Sequence, residues 1–393
     1  MTNVLKVTLS VIISFFLWNL PGYAQVQEPI NDYDQADHLL SELDVSDLET
    51  FWSEIGKDYQ DYFPQIERIS LKELITNANQ LSLIDWVSAL INIIGYELFL
   101  NGKLLGQLII IAIISALIKN LQSSFQSESV TIVANFVLMI LLTTLAVQSF
   151  SVISELMTTT ITRMHDFIIA LLPLLLSLMA MLGGIISASF FHPLIITFLY
   201  LIVILVDKFI LVLIFLSLIL HLVSQMNQKF QLTKLADLLR QIGLTLLFIS
   251  LTIFLTVLST QGAISAVQDG LGIKTAKFVT NNFVPVVGRM LSEATDTIFA
   301  TTQVLKNGLG LFGLIFILLI VSLPIVKVAI VGSFFKLAAA IVQPIGDDQV
   351  VKSISIIADH VFYLLAVLIV VSFMFIMMIV VLLIASNLTF MIR

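Results

Sequence analysis

The sequence predicts an all-α, polytopic membrane protein, and three observations carry that expectation. Hydrophobic residues fill 59% of the 393 positions and charged residues only 11%, against roughly 45–50% and about 25% in soluble domains. Mean hydropathy is +1.06. The apolar residues fall in long runs almost free of charge, which one globular core of this size cannot hide. The expected architecture has about eight spans with interfacial or re-entrant helices. A signal peptide and a small acidic exported helical segment precede them.

Residues 1–24 read as a secretory signal. Lys6 forms a short basic start, Val7–Leu17 is the apolar stretch, and Gly22 and Ala24 place small residues before the cut. An uncleaved first span is the alternative. Residues 25–85 carry 14 acidic and 3 basic residues. The exported segment, 25–82, is therefore acidic, as a solvated face or as a docking surface for a partner. Ser46 is placed to cap a helix carrying Leu48, Phe51, Trp52 and Ile55, and Ser70–Glu73 to box a second helix over 71–81. Residues 83–103 hold Asp85, Trp86, Tyr96 and Glu97 among apolar residues, the mix of an interfacial helix.

The multi-span domain, 104–393, follows, with spans expected at 104–118, 130–153, 167–189, 191–206, 209–224, 242–260, 309–331 and 361–387. One helix over 191–224 would be about 51 Å long against a hydrocarbon core of about 30 Å. A tight hairpin with Asp207 and Lys208 at its tip is the expectation there. Residues 229–241, 333–360 and 261–307 are amphipathic or mixed, as interfacial or re-entrant segments are. With the N-terminus exported, Lys229, Lys234 and Arg240 fall inside, whereas Lys274, Lys277, Arg289 and Lys306 fall outside unless 261–307 adds a span or a re-entrant hairpin. Lys234–Leu239 aligns with Lys352–Ile357, and Pro173 with Pro285, so 156–260 and 268–387 are candidate repeats.

Catalytic chemistry finds little support. There is no cysteine, which excludes disulfides, thiol catalysis and thiolate metal sites. The five histidines do not pair at ligand spacing, and neither a phosphate loop nor a nucleophile elbow occurs. No catalytic residue, metal or cofactor is expected, and the net charge of −7 argues against nucleic acid. Gly308, Gly310 and Gly313 match a dinucleotide pattern, but they open an apolar span, where close helix packing is the favoured reading.

The candidate passage or packing positions are few. Gly102 and Gly106 make a small-residue pair for helix packing, within the chain or between copies. Lys327 follows Pro324 and is either a functional midplane charge or one that snorkels or pairs with a freed carbonyl. Asp207 and Lys208 anchor the expected hairpin. Pro285, Gly288, Glu293 and Asp296 keep 261–307 amphipathic, as a segment that lines or gates a passage would be.

Three stretches carry a resemblance: Gln261–Gly270 with Lys274–Phe278, Val284–Ala294, and Gln343–Asp347. With the acidic head and the polytopic remainder, the chain resembles the stage III sporulation protein AE family. The resemblance implies a subunit of a secretion-like transenvelope channel, in the mother-cell-derived membrane around the forespore. It implies as partners the other stage III sporulation A proteins, including the complex ATPase, stage II sporulation protein Q across the intermembrane space, and the lipid bilayer. It defines no catalytic residue. A stand-alone secondary transporter of a small solute is the rival reading.

Overall fold

In the computed structural model of the chain, the described residues are 44–60, 83–125, 128–226, 231–283, 287–344 and 347–392, and among them every regular element is helical. The expected signal peptide, most of the acidic segment and the helix over 71–81 lie outside them. The elements are α1 (Ser46–Tyr59), α2 (Leu83–Leu100), α3 (Gly102–Phe125), α4 (Glu128–Met181), α5 (Ile185–Ile204), α6 (Leu211–Met226), α7 (Thr233–Phe283), α8 (Val287–Val342) and α9 (Asp348–Ile392).

Five helical stretches are long and apolar enough to cross a membrane: Phe136–Met181, Ile185–Met226, Thr233–Gly272, Phe299–Val342 and Asp348–Ala385. The bent pair Ile91–Leu100 and Gly102–Ile111, angled at 44°, makes a sixth if counted as one span. The expectation of eight fails at two places. Residues 130–153 and 167–189 were separate spans, but α4 runs unbroken through 154–166 to Met181. The hairpin at Asp207 and Lys208 is not formed. Instead a π-helical turn, Leu205–Ile210, joins α5 to α6 without a reversal. Neither glycine nor proline stands between 205 and 210 to break the helix there.

The break falls at Gly183 and Gly184, inside the expected 167–189 span. Gly183 has φ 90°, a left-handed conformation that disfavours any side chain. Its N–H donates to the Ala180 carbonyl and that of Gly184 to the Met179 carbonyl, both at 2.9 Å, which closes the C-terminus of α4 as a Schellman motif. Across the turn, the buried Asp269 carboxylate of α7 accepts from the backbone N–H groups of Ile186 and Ser187, both at 2.9 Å. A carboxylate thus satisfies the orphan donors at the start of α5 and faces its positive dipole end. Pro173 and Pro324 both lie inside continuous helices.

Contacts fix the direction of each helix. Arg240 of α7 donates to the Tyr363 hydroxyl of α9 at 2.7 Å, and Gly262 packs on Val381 and Ala385. So α7 and α9 run parallel. Gly332 packs on Phe362, Gly310 on Leu383 and Gly313 on Ile379, so α8 runs antiparallel to α9. Phe150 meets Phe215, and His165 meets Tyr200, so the α5–α6 rod runs antiparallel to α4. The result is an up-down bundle in which α9 is the most enclosed span, 67% buried over its apolar window. Gly310 and Gly313 sit where an added Cβ would strike Leu383 and Leu171, the close packing their sequence favours.

One end of the bundle is tied by a polar network. Ser217 of α6 donates to the Ala236 carbonyl at 2.7 Å and lies 3.1 Å from Nε2 of His360 in α9. The His221 and His360 rings are 5.2 Å apart. Arg240 pairs with Asp237 at 2.8 Å and lies 4.9 Å over the Tyr363 ring. Buried polar groups on α6, α7 and α9 thereby satisfy one another, as burial requires.

Candidate functional site

The apolar stretches of α7 (242–260), α8 (309–331) and α9 (361–387) lie side by side, because the pairs 240–363, 332–362, 262–381 and 310–383 set their register. Through that same level runs the middle of α4. Phe167 stacks on Phe316 with centroids 4.0 Å apart. One turn or two away, Thr159, Thr160 and Arg163 line one cavity with Ile320, Leu323 and Pro324. Residues 158–166 of α4 therefore stand near mid-height of the apolar band, with Glu155 nearer its edge and Ser151 level with the polar network at Ser217.

This part of α4 presents a polar face. Ser151, Glu155, Thr159, Thr162, Arg163 and Asp166 are all exposed, and steps of three and four put them on one side of a helix. Only Val152 interrupts the face. One level lower the same side is apolar, with Val133, Phe136, Val137, Ile140 and Leu141 exposed. A charged residue at the centre of a lipid-facing span costs about 2.5–3.5 kcal/mol on the insertion scale. Three of them on one face exclude contact with lipid tails there.

Two recesses flank the face and share Thr159. An open groove of about 560 Å³ is lined by Ser151, Ser154, Glu155, Thr158, Asp207 and apolar residues of α6. Asp207 pairs with Lys208 at 2.6 Å and accepts from the Thr158 hydroxyl at 3.3 Å. Lys208 is 71% exposed and Asp207 31%. These two residues, expected at a water-exposed tip, therefore stand mid-rod, where the neighbouring cation and a hydroxyl of α4 satisfy the carboxylate.

The second recess is a cavity of about 230 Å³. Its polar walls are Asp58 and Tyr59 of α1, Glu97 of α2, Thr159, Thr160 and Arg163 of α4, and Lys327 of α8. The Glu97 side chain is 5% exposed and lies 4.0 Å from Nζ of Lys327. Asn101 donates to its other oxygen at 2.9 Å. Pro324 has no N–H, so the Ile320 carbonyl loses its helical donor, and both residues line the cavity.

Helix α1 walls one end of this cavity. Leu48, Trp52, Ile55 and Tyr59 form its buried face, essentially the apolar face read in the sequence. Trp52 meets Phe312 and Phe316, and Phe51 meets Phe167 and Phe316 edge-on. The Tyr59 hydroxyl donates to the Leu319 carbonyl at 2.6 Å and also contacts the Ser322 hydroxyl. Asp58 pairs with Arg163 at 2.7 Å. Ser46 is not the cap. Its N–H and hydroxyl instead donate to Asp44, which holds that exposed carboxyl below its usual range.

The other expected positions divide. Lys327 lines the cavity as described. Gly102 and Gly106 are exposed, and an added Cβ at either meets nothing among the described residues within 4 Å, so neither serves a close contact with them. Pro285 lies outside the described residues. Gly288, Glu293 and Asp296 fall in α8, in a stretch whose side chains are not described. Among the described residues no group of three or more metal-ligating acids or histidines is assembled. Sequence reasoning missed Glu155, Arg163 and Asp166, placing them between spans, although their helical spacing with Ser151 and Thr159 was visible. It also missed the meeting of Asp58, Glu97 and Lys327, which lie on three separate helices.

No solved structure matches the chain. A stage III sporulation protein AE of Bacillus subtilis (strain 168) is 40% identical over 371 residues, covering 93% of each chain. The sequence profile of the family described as Stage III sporulation protein AE (spore_III_AE) matches residues 66–386. That range takes in most of the bundle that carries the polar face and the cavity, and the chain belongs to this sporulation family.

Proposed function

We propose that the chain is a membrane subunit of the transenvelope channel that links mother cell and forespore. In this reading the polar face of α4 lines the channel's aqueous passage. That face carries the proposal: charges at mid-height of an apolar bundle are stable only against water or a polar partner. Membership in the family supports the sporulation setting. The proposed partners are the other stage III sporulation A proteins with their ATPase, and stage II sporulation protein Q across the intermembrane space. The proposed location is the mother-cell-derived outer forespore membrane, with 25–82 on the exported side and the signal peptide before it. The segment holding Pro285, Gly288, Glu293 and Asp296 is proposed as a further part of the passage. The chain is proposed to have no catalytic role and no cofactor.

The test is the double substitution Glu155→Leu with Arg163→Leu in a sporulating host. The variant inserts in the membrane, yet forespores shrink after engulfment and late forespore gene expression fails. Normal spores would overturn the reading. A stand-alone carrier is the second reading, favoured by the Glu97–Lys327 pair at mid-height, since carriers hold ionisable pairs there. Solute uptake by the purified chain in vesicles would select it.

A further inference from the structure

We infer that α1 is a removable plug. It closes one end of a polar track that runs from the open groove, past Thr159, into the cavity beside Arg163, Glu97 and Lys327. The inference rests on the passage reading above and adds the element that opens and shuts it.

The track is continuous in its walls. Thr159 belongs to both recesses, and Glu155, Thr158 and Thr160 stand one turn or less from it on α4. At the far end three wall residues, Ile55, Asp58 and Tyr59, come from α1 alone. Withdrawing α1 removes them together and leaves the cavity open toward the end where α8 begins. α1 approaches from that end: Trp52 sits at Phe312 and Phe316, and Tyr59 seven residues later sits at Leu319 and Ser322. Its tip stops at mid-height, over the cavity.

The way α1 is held suits withdrawal. It has 14 residues, too few for a stable helix alone in water, and it seats by one amphipathic face against α4 and α8. Near the tip its polar ties include the Asp58–Arg163 pair, whose side chains are 41% and 49% exposed, and the Tyr59 hydroxyl. Both ties have replacements when α1 leaves. Ser322 keeps its own bond to the Leu319 carbonyl at 3.1 Å. Arg163 rejoins the exposed polar face of α4. The opposite surface of α1, with Asp47, Glu49, Glu54 and Lys57, faces away from the described bundle and is charged.

The chain has no cysteine, so single thiols report the plug directly. Thr160→Cys places one in the cavity wall, and Glu155→Cys places one on the open face. Membrane-impermeant maleimide is applied to the full-length chain in membrane vesicles. The account expects fast labelling of Glu155→Cys and slow labelling of Thr160→Cys. In an Asp58→Ala, Tyr59→Phe background the Thr160→Cys rate rises about tenfold, the effect of one to two lost hydrogen bonds. The Glu155→Cys rate stays unchanged, which shows the bundle intact. Trp52→Ala is the second background and raises the same rate through lost packing. An unmoved Thr160→Cys rate in both backgrounds, with Glu155→Cys labelled, removes the plug alone. So does fast labelling of Thr160→Cys in the otherwise native chain. Protection of Glu155→Cys removes the passage and the plug with it.

Discussion

At the scale of single residues, the glycines separate into two kinds. Gly310 and Gly313 are contact points, where a methyl group would strike Leu383 and Leu171. Gly310→Ala should cost about 1–3 kcal/mol through overpacking, read as a lower unfolding midpoint of the detergent-solubilised chain. Gly102→Ala and Gly106→Ala meet nothing among the described residues and should be neutral or stabilising by up to about 1 kcal/mol through helix propensity. Equal losses at all four positions would contradict this division. Asp269 is the other informative residue. Asp269→Ala strips the start of α5 of its acceptor and should cost about 1–2 kcal/mol, with Asp269→Asn, which keeps one acceptor, losing less. Identical midpoints for the two variants would show that the cap does not matter. The glycine contrast was half legible in the sequence, because an apolar span entrance argues for close packing. The trans cap was not, because Asp269 and Ile186 are brought together only by the antiparallel packing of α5 and α7.

At the scale of elements, the sequence reading succeeded where one face decides and failed where length decides. The apolar side of α1 was legible from Leu48, Phe51, Trp52 and Ile55, since helical spacing alone defines it. What that side packs against was not, because Phe167, Phe312 and Phe316 lie more than a hundred residues away. The rod 185–226 was misread because a hydrocarbon core of about 30 Å was taken as the limit of a helix. A polar residue inside a rod was therefore read as a turn. Asp207 tolerates its position because Lys208 and Thr158 satisfy it, and the π turn continues the helix past it. The same error split α4 at Glu155–Asp166. The absence of glycine and proline from both stretches was the neglected signal.

At the scale of the whole molecule, height sets the problem the protein must solve. Exposed apolar side chains on the α5–α6 rod run from Ile185 to Val223, a rise of about 57 Å. Even at a tilt of 40° such a rod spans about 44 Å, against about 30 Å of hydrocarbon. Lipid tails alone do not cover that surface, so part of it calls for protein neighbours, as a subunit of an assembly would have. The polar belt at mid-height makes the same demand from the other side, since it requires water or polar company where the apolar band would otherwise meet lipid. A passage bounded by neighbouring subunits meets both demands at once.

A cysteine scan along the exposed side of α4 tests that claim most directly. Single cysteines at Val133, Val137, Ile140 and Leu141, then at Ser151, Glu155, Thr159 and Thr162, are probed with aqueous maleimide in native membranes. The account predicts protection of the first four and labelling of the last four, with the boundary between Leu141 and Ser151. Uniform protection, or labelling that ignores the change from apolar to polar face, would contradict it.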